Sequence, residues 1–265
     1  MSDRYTDDPA LYSQVYAHIT ADIAPLVALM AGAGGPVLEV ACGNGRLLVP
    51  ALEAGVDVDG LDLSRPMLDD LRRTLGARGL ETALVEGDMR DFALPRRYAL
   101  VLVAFNAFLH NLTQADQLAT LRCCRGHLAP GGALAIVAFH PHAERLIQIA
   151  SPGGMQSIDQ PRAEGGRLRA VDVAEDDRVE QVRRHVRTIT ITDGAGAEVR
   201  RVIHRFDLRY VFKPEMELLL RAAGFSPPDV RPLRALEDGT TAFVAGAAPA
   251  EGDTLLYLAR AAEGA

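Results

Sequence analysis

Glu39, the turn Cys42-Gly43-Asn44-Gly45 and Asp62 are the residues whose types and spacing most directly imply chemistry. Glycines in such a turn let the backbone approach a ligand where a Cβ would collide. An acid about 20 residues beyond the turn, at the end of the next strand, is placed to accept hydrogen bonds from ribose hydroxyls. The other reading of Asp62 is a carboxylate meeting the positive end of the following helix. Glu39 precedes the turn, where a carboxylate would repel a pyrophosphate and suit a ligand carrying an ammonium group. A dinucleotide fingerprint needs a third glycine, and Leu48 stands in its place.

The histidines are the next reactive groups. His110 follows the apolar run Tyr98–Phe105. There it would serve as a general base, since an unperturbed imidazole titrates near neutrality, or as a loop-capping residue. His140 is a further catalytic candidate. With His142 it could share a face, but no third ligand stands at a telling spacing, so no metal is expected. His204 lies on the apolar side of an alternating run and reads as a core histidine or as pocket lining. Tyr5, Tyr12 and Tyr16 form an N-terminal stripe, either packing or a lid, with Tyr16 carried as a ligand contact. Cys42 is expected to pack beneath the turn.

These residues must be positioned by elements that the apolar spacing predicts. Leu11, Val15, Ile19, Ile23, Leu26 and Met30 recur at helical intervals, predicting a helix closed by Gly32 to Gly35. Strands and helices then alternate, the sign of a parallel sheet. Strands are expected at 37–41, 56–61, 82–86, 98–105 and 133–139, and helices at 45–54, 66–75 and 115–127, with Ser64 and Thr113 as N-caps. The almost wholly apolar run at 98–105 suits a central strand covered on both faces. Residues 167–212 alternate instead, with Asp193-Gly194-Ala195-Gly196 as a hairpin turn, predicting an antiparallel sheet. In it Val202, His204, Phe206, Leu208 and Tyr210 share one face, and Arg201, Arg205, Asp207 and Arg209 share a solvated one. A helix at 215–223 and two short strands near Val230 and Leu255 complete the pattern.

The stretch Glu39-x-Ala41-x-Gly43-x-Gly45, with Asp62 after it, resembles the first segments of the class I S-adenosylmethionine-dependent methyltransferases of small-molecule type. Ala41 departs from the family's first glycine. Gly87-Asp88-Met89, Phe105-Asn106-Ala107-Phe108-Leu109-His110, Leu128-Ala129-Pro130-Gly131-Gly132 and Ala223-Gly224-Phe225 resemble later family segments, in order. The resemblance implies a Rossmann-like, doubly wound α/β sheet of seven strands in the order 3-2-1-4-5-7-6, with an inserted antiparallel β cap. It divides the chain into an N-terminal helical lid at 1–34, a core at 35–145 and 212–265, and a β-rich insertion at 146–211 capping the substrate site. It implies S-adenosyl-L-methionine as cofactor and S-adenosyl-L-homocysteine as product. Glu39 would lie near the methionyl ammonium, with Ala41, Gly43 and Gly45 lining that moiety. Asp62 would bind the ribose, Leu63 and Met67 would flank adenine, and Asp88 and Met89 would meet its amino edge. Phe105 and Asn106 would border the transferable methyl. The implied reaction is in-line transfer to a small acceptor, nitrogen ahead of oxygen or carbon. Alternatives are a fold that keeps the cofactor for rearrangement or binding only, and a nucleotide-cofactor oxidoreductase.

Composition bounds the partners. Hydrophobic residues make up 48% of the 265, enough for a sizeable core, and the net charge of −7 disfavours nucleic acid. The polar, acidic start is not that of a signal peptide, and no apolar run is long enough for a span. Cys42, Cys123 and Cys124 form no disulfide or zinc framework. A cytoplasmic monomer or homodimer acting on a small molecule, away from membranes, is expected.

Overall fold

The computed structural model describes residues 7–141, 156–250 and 253–262. Tyr5 and His142 lie outside them. The alternating pattern folds into strands β1 (Val37–Val40), β2 (Val58–Asp62), β3 (Leu84–Glu86), β4 (Tyr98–Val103) and β5 (Leu128–Phe139). Beyond the insertion come β10 (Asp229–Ala235), β11 (Thr241–Phe243) and β12 (Thr254–Arg260). They form one sheet in the order β11-β10-β12-β5-β4-β1-β2-β3. This is the expected 3-2-1-4-5-7-6 arrangement with one strand more. The addition, β11, is three residues long and pairs with β10. Its Thr-Ala-Phe run is too short to carry a period of its own.

Strands β1, β2, β4 and β5 are parallel; β12 runs antiparallel to β5, and β10, antiparallel to β12, points the same way as β5 again. Every residue of β1 and β2 is buried, as helices on both faces require. Val37, Val58, Leu100 and Leu102 face α2 (Ile23–Ala31), α3 (Leu48–Glu53) and α4 (Arg65–Arg78). Leu38, Val40, Val101 and Val103 face α5 (Gln114–Gly126) and α6 (Lys213–Ala222). The period of two thus splits one strand between two cores. Caps fix the helix starts: Ser64 Oγ accepts from Met67 N–H, and Thr113 Oγ1 accepts from Asp116 N–H.

One expected helix is two. Chain from Leu11 to Met30 forms α1 (Pro9–Tyr16) and α2, separated by a turn over 17–22. Pro25 explains the break. A continuous helix would press its ring onto the carbonyl of Ala21, whereas in the first turn of α2 its missing N–H costs nothing. Tertiary partners hold the turn, because Arg46 donates to the Ile19 carbonyl and to Asp22.

The insertion is a separate four-stranded antiparallel sheet, β6 (Gln156–Pro161), β7 (Arg167–Asp177), β8 (Val182–Thr192) and β9 (Glu198–Arg209). Leu168, Ala170, Ile189 and Ile191 on its inner face bury Leu11 and Val15 of α1, so α1 packs on the insertion. The expected solvated arginine face is correct only in part. Arg201 and Arg205 are exposed, but Arg209 is buried and donates to Gln117, Gln181 and Glu215. At the end of β9 the sheet meets α5 and α6, so both faces are covered there. Among the described residues no helix is long and apolar enough to cross a membrane.

Candidate active site

A cavity of about 1390 Å³ opens at the carboxyl ends of β1, β2 and β4. Its place follows from topology. The strand order reverses between β1 and β4, and ligands of open α/β sheets sit in that crevice. The insertion sheet closes it from above. Its volume exceeds the ordinary range for one small ligand, so two fit together.

The floor is the turn after β1. Ala41 (φ 59°), Gly43 (φ 56°) and Gly45 (φ 88°) are all left-handed. Space around the position of a Cβ at Gly43 is empty, and the residue lines the cavity. Gly45 itself does not line the cavity, although its neighbours Asn44 and Arg46 do. A Cβ there would fall 2.4 Å from Leu71 Cδ1 and 2.9 Å from Val49 Cγ2. This glycine lets the turn pack on α4. Cys42 is buried, and burial raises its thiol well above the ordinary range.

Asp62, at the end of β2, accepts from Gly43 N–H at 2.7 Å and from Ser64 N–H at 2.7 Å. One oxygen steadies the glycine turn and the other the start of α4, and the residue also lines the cavity. Burial raises its pKa, and these two hydrogen bonds lower it. Glu39 is buried beside it. Burial first, then the charges of Asp62 and Asp22, raise its carboxyl to about 8 against the lowering effect of Arg46. Its Oε2 is shut from water with no hydrogen-bond partner. Arg46 is committed to Asp22 through bonds of 2.8 and 2.6 Å, and its guanidinium lies 4.1 Å from the Phe105 ring centroid. With Arg46 balanced by Asp22, the floor carries an excess of negative charge whenever Glu39 ionises. Such a floor suits a cation.

Phe105 (φ 53°) and Asn106 (φ 64°) are successive left-handed residues at the end of β4, a strained arrangement of the sort found at ligand sites. Asn106 Oδ1 accepts from Phe139 N–H at 2.8 Å, bridging the ends of β4 and β5. Leu63, Met67, Asp88 and Met89 also line the cavity. Leu63 is exposed at the rim and Met67 is buried. The Asp88 carboxylate binds the Arg90 side chain at 2.6 Å, which holds its pKa below the ordinary range.

Tyr12 and Tyr16 of α1 enter the cavity wall. The edge of Tyr16 meets Phe105 at 5.2 Å, and its hydroxyl accepts from Arg187 at 2.5 Å. Asn44 in the glycine turn donates to Ser13 Oγ and to the Pro9 carbonyl. The helix α1 is thus tied to the floor and to the insertion.

His110 closes a short 3-10 turn, Ala107–His110, and lines the cavity. Burial pushes its ring down to about 4, against a hydrogen bond to the Asp207 main chain. At neutral pH it is uncharged and a weak base. His140 lies just past β5 and also lines the cavity. Its main-chain N–H donates to the Asp253 carbonyl at 2.6 Å, and its ring meets Phe212 edge-on. His204 is buried and does not line the cavity. Among the described residues no group of three or more histidine, cysteine or acid side chains is gathered to hold a metal. Reasoning from sequence missed the Arg46–Asp22 pair and the polar inner face of the insertion, where Arg187 binds Asp172 and Arg183 binds Asp176. Only the density of arginines and aspartates in 167–209 hinted at the latter.

The fold and cavity define a doubly wound nucleoside-binding domain with an acidic floor. Residues 37–132 match the family model described as a methyltransferase domain. The chain is 36% identical over 121 residues to a dTDP-3-amino-3,6-dideoxy-alpha-D-glucopyranose N,N-dimethyltransferase of Streptomyces fradiae, covering 46% of this chain and 46% of that one. It is 33% identical over 137 residues to the cypemycin N-terminal methyltransferase of a Streptomyces species, covering 48% and 55%. The aligned stretches span about half the length of these relatives. The CcbJ methyltransferase structure from Streptomyces caelestis superposes with a TM-score of 0.73 at 23% identity, over 99% of this chain and 100% of that one, a likeness of fold. The likeness of residues 37–132 is thus to the methyltransferase domain, in line with the class I S-adenosylmethionine-dependent methyltransferases that the sequence resembles.

Proposed function

We propose that the protein transfers a methyl group from S-adenosylmethionine to a nitrogen of a small-molecule acceptor of the amino-sugar kind. The observation that carries this reading is the unpartnered Glu39 Oε2 in an acidic floor beside Asp62, under a cavity large enough for a second ligand. In this reading Glu39 holds the ammonium of the cofactor, Asp62 its ribose, and Gly43 the close backbone approach. Leu63 and Met67 flank the adenine, Asp88 and Met89 meet its edge, and Phe105 and Asn106 border the reacting end. When bound, S-adenosylmethionine supplies a methyl group already activated on a sulfonium. The chain's own work is then alignment and exclusion of water. Tyr12, Tyr16 and α1 cover the floor as the lid of residues 1–34, and the insertion of 146–211 caps the acceptor.

Nitrogen is favoured because the nearest candidate base is weak. His110 is held by Asp207 and kept neutral, which suffices for an amine arriving as its free base but poorly serves a hydroxyl. The curated relatives named above are N-methyltransferases, which supports the same choice. The test is incubation with methyl-labelled cofactor and paired acceptors, a nucleotide-linked amino sugar and its hydroxyl counterpart. Label is expected in the amine alone. Label in the hydroxyl compound at an equal or higher rate would overturn the choice of nitrogen.

A further inference from the structure

The inner face of the insertion sheet carries three rows of cross-strand neighbours above the cavity. Asp172 stands opposite Arg187, Ala174 opposite His185, and Asp176 opposite Arg183. The outer rows are closed. Arg187 binds both oxygens of Asp172 at 2.5 Å, and Arg183 binds both oxygens of Asp176 at 2.8 and 2.7 Å. The middle row is open. Both ring nitrogens of His185 are shut from water and have no hydrogen-bond partner. The sheet offers none, because the neighbour on β7 is a methyl group and the neighbour on β9 is Phe206, on whose ring the imidazole stacks at 4.6 Å and 7°.

A buried polar group without a partner is costly, and structures keep few of them. His185 lines the cavity, so the missing partner can come from there. We infer that His185 is the residue that reads the polar substituents of the acceptor, selecting a hydroxylated amine over an apolar one. This rests on the methyl-transfer reading. A neutral imidazole has one nitrogen that donates and one that accepts. Hydroxyl groups on a ring satisfy both, whereas a hydrocarbon leaves both unmet. Burial keeps this ring neutral, with the charges of Arg183 and Arg187 acting in the same sense and those of Asp172 and Asp176 against it. The stack on Phe206 and the closed ion pairs on either side hold the imidazole in place. A small parting of the cavity wall admits the ligand to its nitrogens. His185 is thus a specificity residue, and the methyl transfer itself does not pass through it.

The experiment loads the full chain with S-adenosylhomocysteine and compares two probes, kanosamine and cyclohexylamine. Both present a primary amine on a six-membered ring, and only the first carries hydroxyls. The wild type is expected to bind kanosamine about tenfold or more tighter, and His185→Phe to lose most of that preference. His185→Asn, which keeps a donor and an acceptor, is expected to recover part of it. Cofactor affinity, measured by calorimetry, stays within about twofold in both variants, since a change of that size is well under 1 kcal/mol. In the wild type, kanosamine and not cyclohexylamine should move the His185 ring nitrogen resonances, a readout that needs no variant to fold. Absence of preference in the wild type, a preference retained in a folded His185→Phe, or unmoved resonances would overturn the inference while leaving methyl transfer intact. Failure of the wild type to bind S-adenosylhomocysteine would overturn the methyl-transfer reading itself, and this inference with it.

Discussion

Replacing Glu39 with glutamine should change how cofactor affinity depends on pH. In the ligand-free protein burial holds this carboxyl at about 8. At neutral pH it is therefore mostly protonated, and an ammonium partner must draw the proton off. Each pH unit below 8 then costs up to about 1.4 kcal/mol, or tenfold in Kd. Affinity for S-adenosylmethionine should rise as pH climbs from about 6 to about 8. A free α-amino group titrates at about 7.7–8.0, so affinity should pass through a maximum near there rather than a plateau. Calorimetry in buffers of differing ionisation enthalpy should show a proton released on binding. Glu39→Gln should abolish the rise and the proton release. At the wild-type maximum it should bind about 10- to 150-fold more weakly, the equivalent of about 1.5–3 kcal/mol for a hydrogen bond to a charged group. The same titration bears on folding. The folded state holds the proton up to about 8 while the unfolded chain releases it near 4.5, so Glu39 makes ligand-free stability fall as pH rises across that window. The variant should lack that contribution. A wild-type Kd that is flat from about pH 6 to 8, with no proton released, would refute the assignment of Glu39 to the ammonium.

Asp62→Ala should weaken cofactor binding by about 10- to 150-fold, read by calorimetry, because a charged acceptor is lost. It should also lower the melting temperature, since Gly43 and Ser64 N–H lose the same carboxylate. His110→Gln should retain activity within about tenfold, against the 10²–10⁴ loss expected of a general base, because a ring pushed down to about 4 contributes positioning. His110 and His185 both titrate low when folded, so stability should fall as pH drops from about 6.5 towards 4, measured by denaturant titration. Ala41→Gly should stabilise the protein by about 0.5–1 kcal/mol, raising the melting temperature by about 1–4 °C, since φ 59° strains an alanine more than the extra chain entropy of glycine costs.

What is legible in the sequence is local. The apolar strand, the glycine turn and the acid closing the next strand lie within one crossover, so spacing alone places Glu39, Gly43 and Asp62 at one end of the sheet. The same spacing does not tell Gly43 from Gly45, because Gly-x-Gly gives both glycines one appearance and only the structure shows that Gly45 packs on Leu71. The break between α1 and α2 is hidden by an apolar period that continues through it, although Pro25 marks where the second helix restarts. Alternation puts Arg209 on a wet face because it cannot tell where another helix covers a sheet. Arg187, His185 and Phe206 are beyond its reach for a related reason. Their juxtaposition depends on the register of β8 against β7 and β9, which the turns set and a single strand does not encode.

Calorimetric titration of the full chain with S-adenosylmethionine, S-adenosylhomocysteine and NAD tests the central claim most directly. The proposed reading of the floor as a site for an ammonium and a ribose predicts that the first two bind at one site per chain and that NAD, which brings no ammonium to draw the proton from Glu39, binds at least about a hundredfold more weakly, a difference of about 2.7 kcal/mol. NAD binding as tight as that of S-adenosylmethionine, or tighter, would contradict it.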